Sequence, residues 1–343
     1  MKRGLPFQRD LATTAMGILP HENVADALEL AFTLDVPFWP QLPRLSFFED
    51  MYVQALEKFP GVVFDEKHNR SYVDTSRFYD ELDGFFSHES DLSWFALSDR
   101  YSLVYRHFLE YDLSRYPAVH GQVISPVSLA LKIVDENGRP IVYNDDIRTV
   151  VFSFIQKKVN AQYRELAGKN ERSFVWIDDP GLEFIFNAMS GYDHVKAKDE
   201  MFGFYEGVEG PRGLHLCGNP DWDFLLSLNI DIISLNAYAF GDIFVNYDRL
   251  KDFIGEGGTV SWGIVPTGAE EFFGENIRSL AARLEEMWKT LSKKGVSINE
   301  IAQKSMLAPA TCNLMNADKT QTVERSFRLL RDLSHYMKER CCS

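Results

Sequence analysis

The sequence predicts an α/β protein built as a (β/α)8 barrel, the TIM-barrel architecture, forming one catalytic domain over residues 1–343. Three observations predict it. Short β-rich segments alternate with helical patterns, which is the signature of βα units around a parallel sheet. Eight such segments occur, as a barrel of this kind requires. No repeat, low-complexity tract or long Pro/Gly/Ser linker divides the chain, and 343 residues that are 45% hydrophobic suffice for one large core.

The strand candidates are 11–17, 36–39, 118–124, 174–178, 213–217, 230–235, 259–265 and 305–310. Helical patterns run between them, over 24–33, 147–166, 220–228 and 275–292. Residues 44–116 separate the second and third strands and read as an insertion capping the barrel mouth. Within it, Val62-Val63-Phe64 and Ser71-Tyr72-Val73 flank a polar turn and predict a β-hairpin, with helical segments at about 75–86 and 90–113. The last helix, about 322–339, carries Val323, Phe327, Leu330 and Leu333 at helical spacing, which marks a packing face.

Lys plus Arg number 36 against 50 Asp plus Glu, a net charge of −14. A chain this acidic repels phosphate backbones and anionic membrane surfaces, so neither nucleic acid nor membrane is expected as a partner. No run of 18 apolar residues occurs, and Met1-Lys2-Arg3-Gly4-Leu5-Pro6 leads into no apolar signal core. A cytoplasmic protein is expected. The four cysteines are Cys217, Cys312, Cys341 and Cys342. Sparse cysteines in a cytosolic protein are metal ligands, nucleophiles or bystanders rather than disulfides, and the Cys341-Cys342 pair at the end reads as a bystander.

The sharpest local signal is Gly213-Leu214-His215-Leu216-Cys217-Gly218-Asn219-Pro220. Alternate residues of a strand share a face, so His215 and Cys217 project together at a barrel mouth. Cys312 follows the last strand candidate, and the C-terminal ends of all barrel strands meet at one rim. A His/Cys/Cys set with a vacant fourth position is a catalytic zinc arrangement. The alternative from spacing alone is that all three are core residues, with Cys312 a small buried hydrophobe.

These residues resemble the superfamily of cobalamin-independent methionine synthase and uroporphyrinogen decarboxylase, its methyltransferase side in particular. Thr13-Thr14-Ala15-Met16-Gly17-Ile18-Leu19-Pro20-His21 is similar to the family's opening strand and turn. Val119-His120-Gly121-Gln122-Val123-Ile124-Ser125-Pro126 is similar to its Lys-Gly-Gln-x-x-Gly-Pro segment, and Trp176-Ile177-Asp178-Asp179-Pro180 to its Asp-Glu-Pro turn. His215, Cys217 and Cys312 fall where the family's zinc ligands fall.

The resemblance implies a zinc enzyme that binds an acceptor thiol, such as homocysteine or coenzyme M, as the thiolate for attack on a methyl group. It implies that Asp178 holds the amino group of homocysteine; a helix N-cap before Pro180 is the other reading of that residue. Gly17, Ile18 and His21 then belong to the acceptor's surroundings, although a loop histidine is ordinarily just solvated. Three positions depart from the family. Asn236 stands where a glutamate ligates zinc, Ile18 replaces a serine and Asp179 replaces a glutamate. Asn236 is kept as a polar catalytic neighbour. The chain has one barrel where the folate-dependent synthases have two, so a methyl-corrinoid protein is the implied donor rather than a folate. His120 reads as a hydrogen-bonded barrel residue, and Asp221 and Asp223 as helix capping. Two other functions were weighed. A cofactor-free porphyrinogen decarboxylase would need an arginine-rich loop where Trp39, Gln41 and a single Arg44 stand. A non-catalytic accessory barrel of the corrinoid pathway is the other.

Overall fold

Valine- and isoleucine-rich runs buried on both faces build the centre of the molecule. The computed structural model describes residues 4–186 and 191–341. Its core is a curled, wholly parallel sheet of seven strands, a half-barrel. We label these β1 (Ala12–Thr13), β2 (Val119–Ile124), β3 (Ser173–Asp178), β4 (Arg212–Leu216), β5 (Ile232–Leu235), β6 (Thr259–Val265) and β7 (Ser305–Pro309). They lie in the order β1-β7-β6-β5-β4-β3-β2, and every neighbouring pair is parallel. All residues of β2, β3, β5, β6 and β7 are buried. The register places Asp178, His215, Ser234 and Ser261 side by side across β3, β4, β5 and β6.

The expected second strand is corrected. Residues 36–39 make only single parallel bridges, Val36 to Thr14 and Phe38 to His120. The cause is local: Pro37 and Pro40 have no N–H to donate, so no ladder can run through Val36-Pro37-Phe38-Trp39-Pro40. The other seven strand candidates each contain one of the strands.

The helices begin where capping side chains stand. Asn144 caps Asp145–Ala167, which packs on β2 and β3, and Asn276 with Ser279 forms a capping box on Ile277–Lys293. Asp221 caps Trp222–Ser227, as read from the sequence. In the 44–116 segment, Val62–Asp65 and Arg70–Val73 form the expected hairpin. Val134–Asp135 joins it in parallel as an unexpected third strand. The helix expected over 90–113 is instead two short pieces, Leu92–Phe95 and Leu103–Glu110, because Asp91 and Ser102 each cap a separate start. The last helix, Gln321–Cys341, buries Val323, Phe327, Leu330 and Leu333. Cys341 ends it, and Cys342 lies outside the described residues. Among the described residues, no helix is long and apolar enough to cross a membrane.

Candidate metal centre

β4 ends at Leu216, and the alternation of its side chains carries one residue past its end to Cys217. The turn that follows is tightly specified. A side chain at Gly218 would overlap the Glu183 carboxylate, which accepts from the Asn219 N–H at 3.2 Å. The Asn219 amide oxygen in turn accepts from the Trp222 indole at 2.9 Å.

Cys312 is held from the opposite side of the sheet. Its carbonyl accepts from the Ile18 N–H at 2.8 Å, and the Leu314 N–H donates back to the Ile18 carbonyl at 3.0 Å. Gly17 has φ +95°, and a Cβ there would lie 2.0 Å from the Cys312 carbonyl oxygen. Only glycine permits that conformation together with that approach. The Gln122 side chain accepts from the Gly17 N–H at 2.6 Å and donates to the Trp39 carbonyl at 3.2 Å, tying the first turn to β2. Gly17 and Ile18, expected beside an acceptor, therefore engage Cys312 through their backbone.

The three donors converge. His215 Nε2 lies 2.9 Å from Cys217 Sγ, Cys217 Sγ lies 3.3 Å from Cys312 Sγ, and all three ligand atoms fall within 4.8 Å of one another. His215 is buried, while both cysteines are partly exposed. This donor set fits zinc. One imidazole and two thiolates leave one tetrahedral position open, and zinc at its usual bond lengths separates nitrogen from sulfur by about 3.5 Å and sulfur from sulfur by about 3.8 Å. The two closest donor separations are within about 1 Å of that spacing.

Electrostatics favour a thiolate here. The hydrogen bond from Cys312, joined by His215, holds the Cys217 thiol well below its ordinary range despite burial. The same bond, burial and the neighbouring Asp178 push Cys312 up, so the sulfur pair shares a proton. Burial would lower His215, but the adjacent Cys217 outweighs it and holds the imidazole above its usual value.

Asp178, the last residue of β3, is buried, and its Oδ1 has no hydrogen-bond partner. Burial raises its carboxyl to about 7, with His215 pulling it down and Cys217 and Asp179 pushing it up. The N-cap reading of Asp178 is corrected, since its carboxylate engages the Cys312 thiol rather than a helix N–H. Asp179 is raised by burial to about 7 as well, against hydrogen bonds from Ser125 and from Ser128, the latter at 2.6 Å.

Asn236 is a second correction. Its side chain accepts from the Ala239 N–H at 3.0 Å and caps Ala237–Phe244, so a helix start occupies the oxygen considered for chemistry. His21 is buried rather than solvated, and burial holds it below its usual value. His120 is hydrogen-bonded to Thr14 Oγ1 at 2.9 Å and stacks on Phe38 and Phe174, apart from the metal cluster.

Two residues near the centre carry no sequence signal. Ser234 Oγ lies 2.9 Å from His215 Nδ1. Tyr52, from the 44–116 segment, is held above the ordinary tyrosine range by burial and by Asp178, Asp50, Asp179 and Cys312. A cleft of about 550 Å³, a size suited to a small molecule, opens beyond β5, β6 and β7. It is lined by Asn236, Thr267, Arg283, Thr311 and Asn313, and Thr311 precedes Cys312.

No family model and no curated protein matches the sequence. Among solved structures, the chain is similar to a B12-independent methionine synthase from Shewanella sp. W3-18-1 in complex with selenomethionine. The identity is 13% and the TM-score 0.44, over 65% of this chain and 63% of that one, so this chain spans less than two thirds of its length.

Proposed function

We propose that this chain is a zinc-dependent methyltransferase that delivers a methyl group to a small thiol, with His215, Cys217 and Cys312 as the metal ligands. One observation carries the reading: an imidazole and two sulfurs, from the ends of β4 and β7, reach within 4.8 Å of one another while one ligand position stays open. Zinc, when bound, supplies the Lewis acidity that keeps an acceptor thiol ionised at neutral pH. The chain's own residues do the rest. Asp178, with an unpartnered oxygen beside the cluster, binds the ammonium group of an amino-acid thiol such as homocysteine. The cleft past Thr311 admits the donor end, a methyl group carried on a corrinoid protein. Val36 and Phe38, bridging β1 and β2, complete a (β/α)8 ring that shields the site from below.

The test is metal analysis of protein grown with zinc, followed by methyl transfer from methylcobalamin to homocysteine and to coenzyme M. About one zinc per chain, lost in Cys312→Ser, together with transfer to a thiol supports the reading. A fully folded, metal-free protein overturns it. Zinc without transfer to any thiol points instead to an accessory role.

A further inference from the structure

We propose that Ser234 is the positioning residue that sets His215 at the metal centre, its hydroxyl accepting from Nδ1–H and so reserving Nε2 for the ion. The inference rests on the zinc reading above. The starting point is the register: Ser234 on β5 is the Cα partner of His215 on β4, so the backbone ladder itself holds the two side chains next to each other. Oγ and Nδ1 are 2.9 Å apart, with His215 2% and Ser234 4% exposed. At that burial no bulk water competes for the contact.

A neutral imidazole has one lone pair to give, on whichever nitrogen lacks the proton. Metal binding through Nε2, the nitrogen beside Cys217, requires the proton on Nδ1, and Ser234 Oγ is the acceptor placed there. A hydroxyl suits this centre better than the carboxylate that often orients a ligating histidine. Two thiolates already balance a divalent ion, and Asp178 stands on the other flank in register with His215. A further carboxylate would leave excess negative charge in a buried place.

The experiment measures zinc affinity by competition with a chromophoric chelator for the wild type, Ser234→Ala and Ser234→Thr, with circular dichroism on each. Ser234→Ala is expected to bind zinc about 10- to 100-fold more weakly, while Ser234→Thr, which keeps the hydroxyl, stays close to the wild type. A second measurement needs no variant. In zinc-loaded wild type, nitrogen-15 NMR of His215 is expected to show a protonated Nδ1 and a metal-bound Nε2. Unchanged affinity in a folded Ser234→Ala, or an unprotonated Nδ1 in the wild type, overturns the assignment and leaves the zinc reading standing. A wild type that binds no zinc removes both.

Discussion

The sulfur atoms of Cys217 and Cys312 lie 3.3 Å apart, although 95 residues separate them in the chain. The contact arises because β4 and β7 end at the same rim of one parallel sheet and because Gly17 and Ile18 hold the Cys312 backbone in place. Thiols this close are either held apart by a shared ion or open to oxidation.

The first prediction follows from that choice. Metal-free protein treated with hydrogen peroxide is expected to form a Cys217–Cys312 disulfide, the two thiols losing two hydrogens as the peroxide becomes two waters. Zinc added beforehand should protect them. Intact mass and peptide mapping check this, and a product linked through Cys341 instead would contradict it.

Asp178→Asn separates acceptor recognition from metal binding. The neutral amide loses a charge-assisted hydrogen bond of about 1.5–3 kcal/mol, so KM for homocysteine should rise about 10- to 100-fold. KM for a thiol lacking an ammonium group should stay within a few-fold, and the zinc content should not change. Equal losses for both acceptors would remove Asp178 from the recognition role.

Gly17→Ala tests the first turn. The left-handed φ costs about 1–3 kcal/mol for a residue with a Cβ, and the overlap with the Cys312 carbonyl forces that loop to move. We expect a lower Tm together with weaker zinc binding, measured by thermal unfolding and chelator competition. A lower Tm with unchanged zinc affinity would mean that the turn does not govern where Cys312 sits.

His120 makes stability depend on pH. Burial lowers its pKa from 6.5 to about 4. Between those values the unfolded chain binds a proton that the folded protein refuses. The contribution is therefore fully present above pH 6.5 and falls away as the pH drops through the window toward 4, by about 3 kcal/mol in all. The difference in urea stability between wild type and His120→Gln should shrink by that amount across the window. Asp178 and Asp179, raised by burial, titrate in both proteins and cancel in the difference. A difference flat with pH would refute the assignment.

Much of the site and of the sheet was legible in the chain. Seven strand positions follow from apolar runs bounded by turns, and His215 and Cys217 share a face because strand side chains alternate by strict geometry. These are local properties, set by residues a few positions apart. The loss of a strand at 36–39 was local too, written in Pro37 and Pro40.

What the sequence determined by itself was therefore the order of the βα units and the supply of one imidazole and two soft sulfurs near strand ends. Only the tertiary structure decided that Cys312 reaches Cys217, that Tyr52 joins them, that Ser234 faces His215, and that Asn236 caps a helix instead. The physical reason is that these pairings depend on strand register and on how the sheet curls, which are set by the packing of the whole core. A serine in a strand or a tyrosine in a long connection carries no mark of what lies across from it.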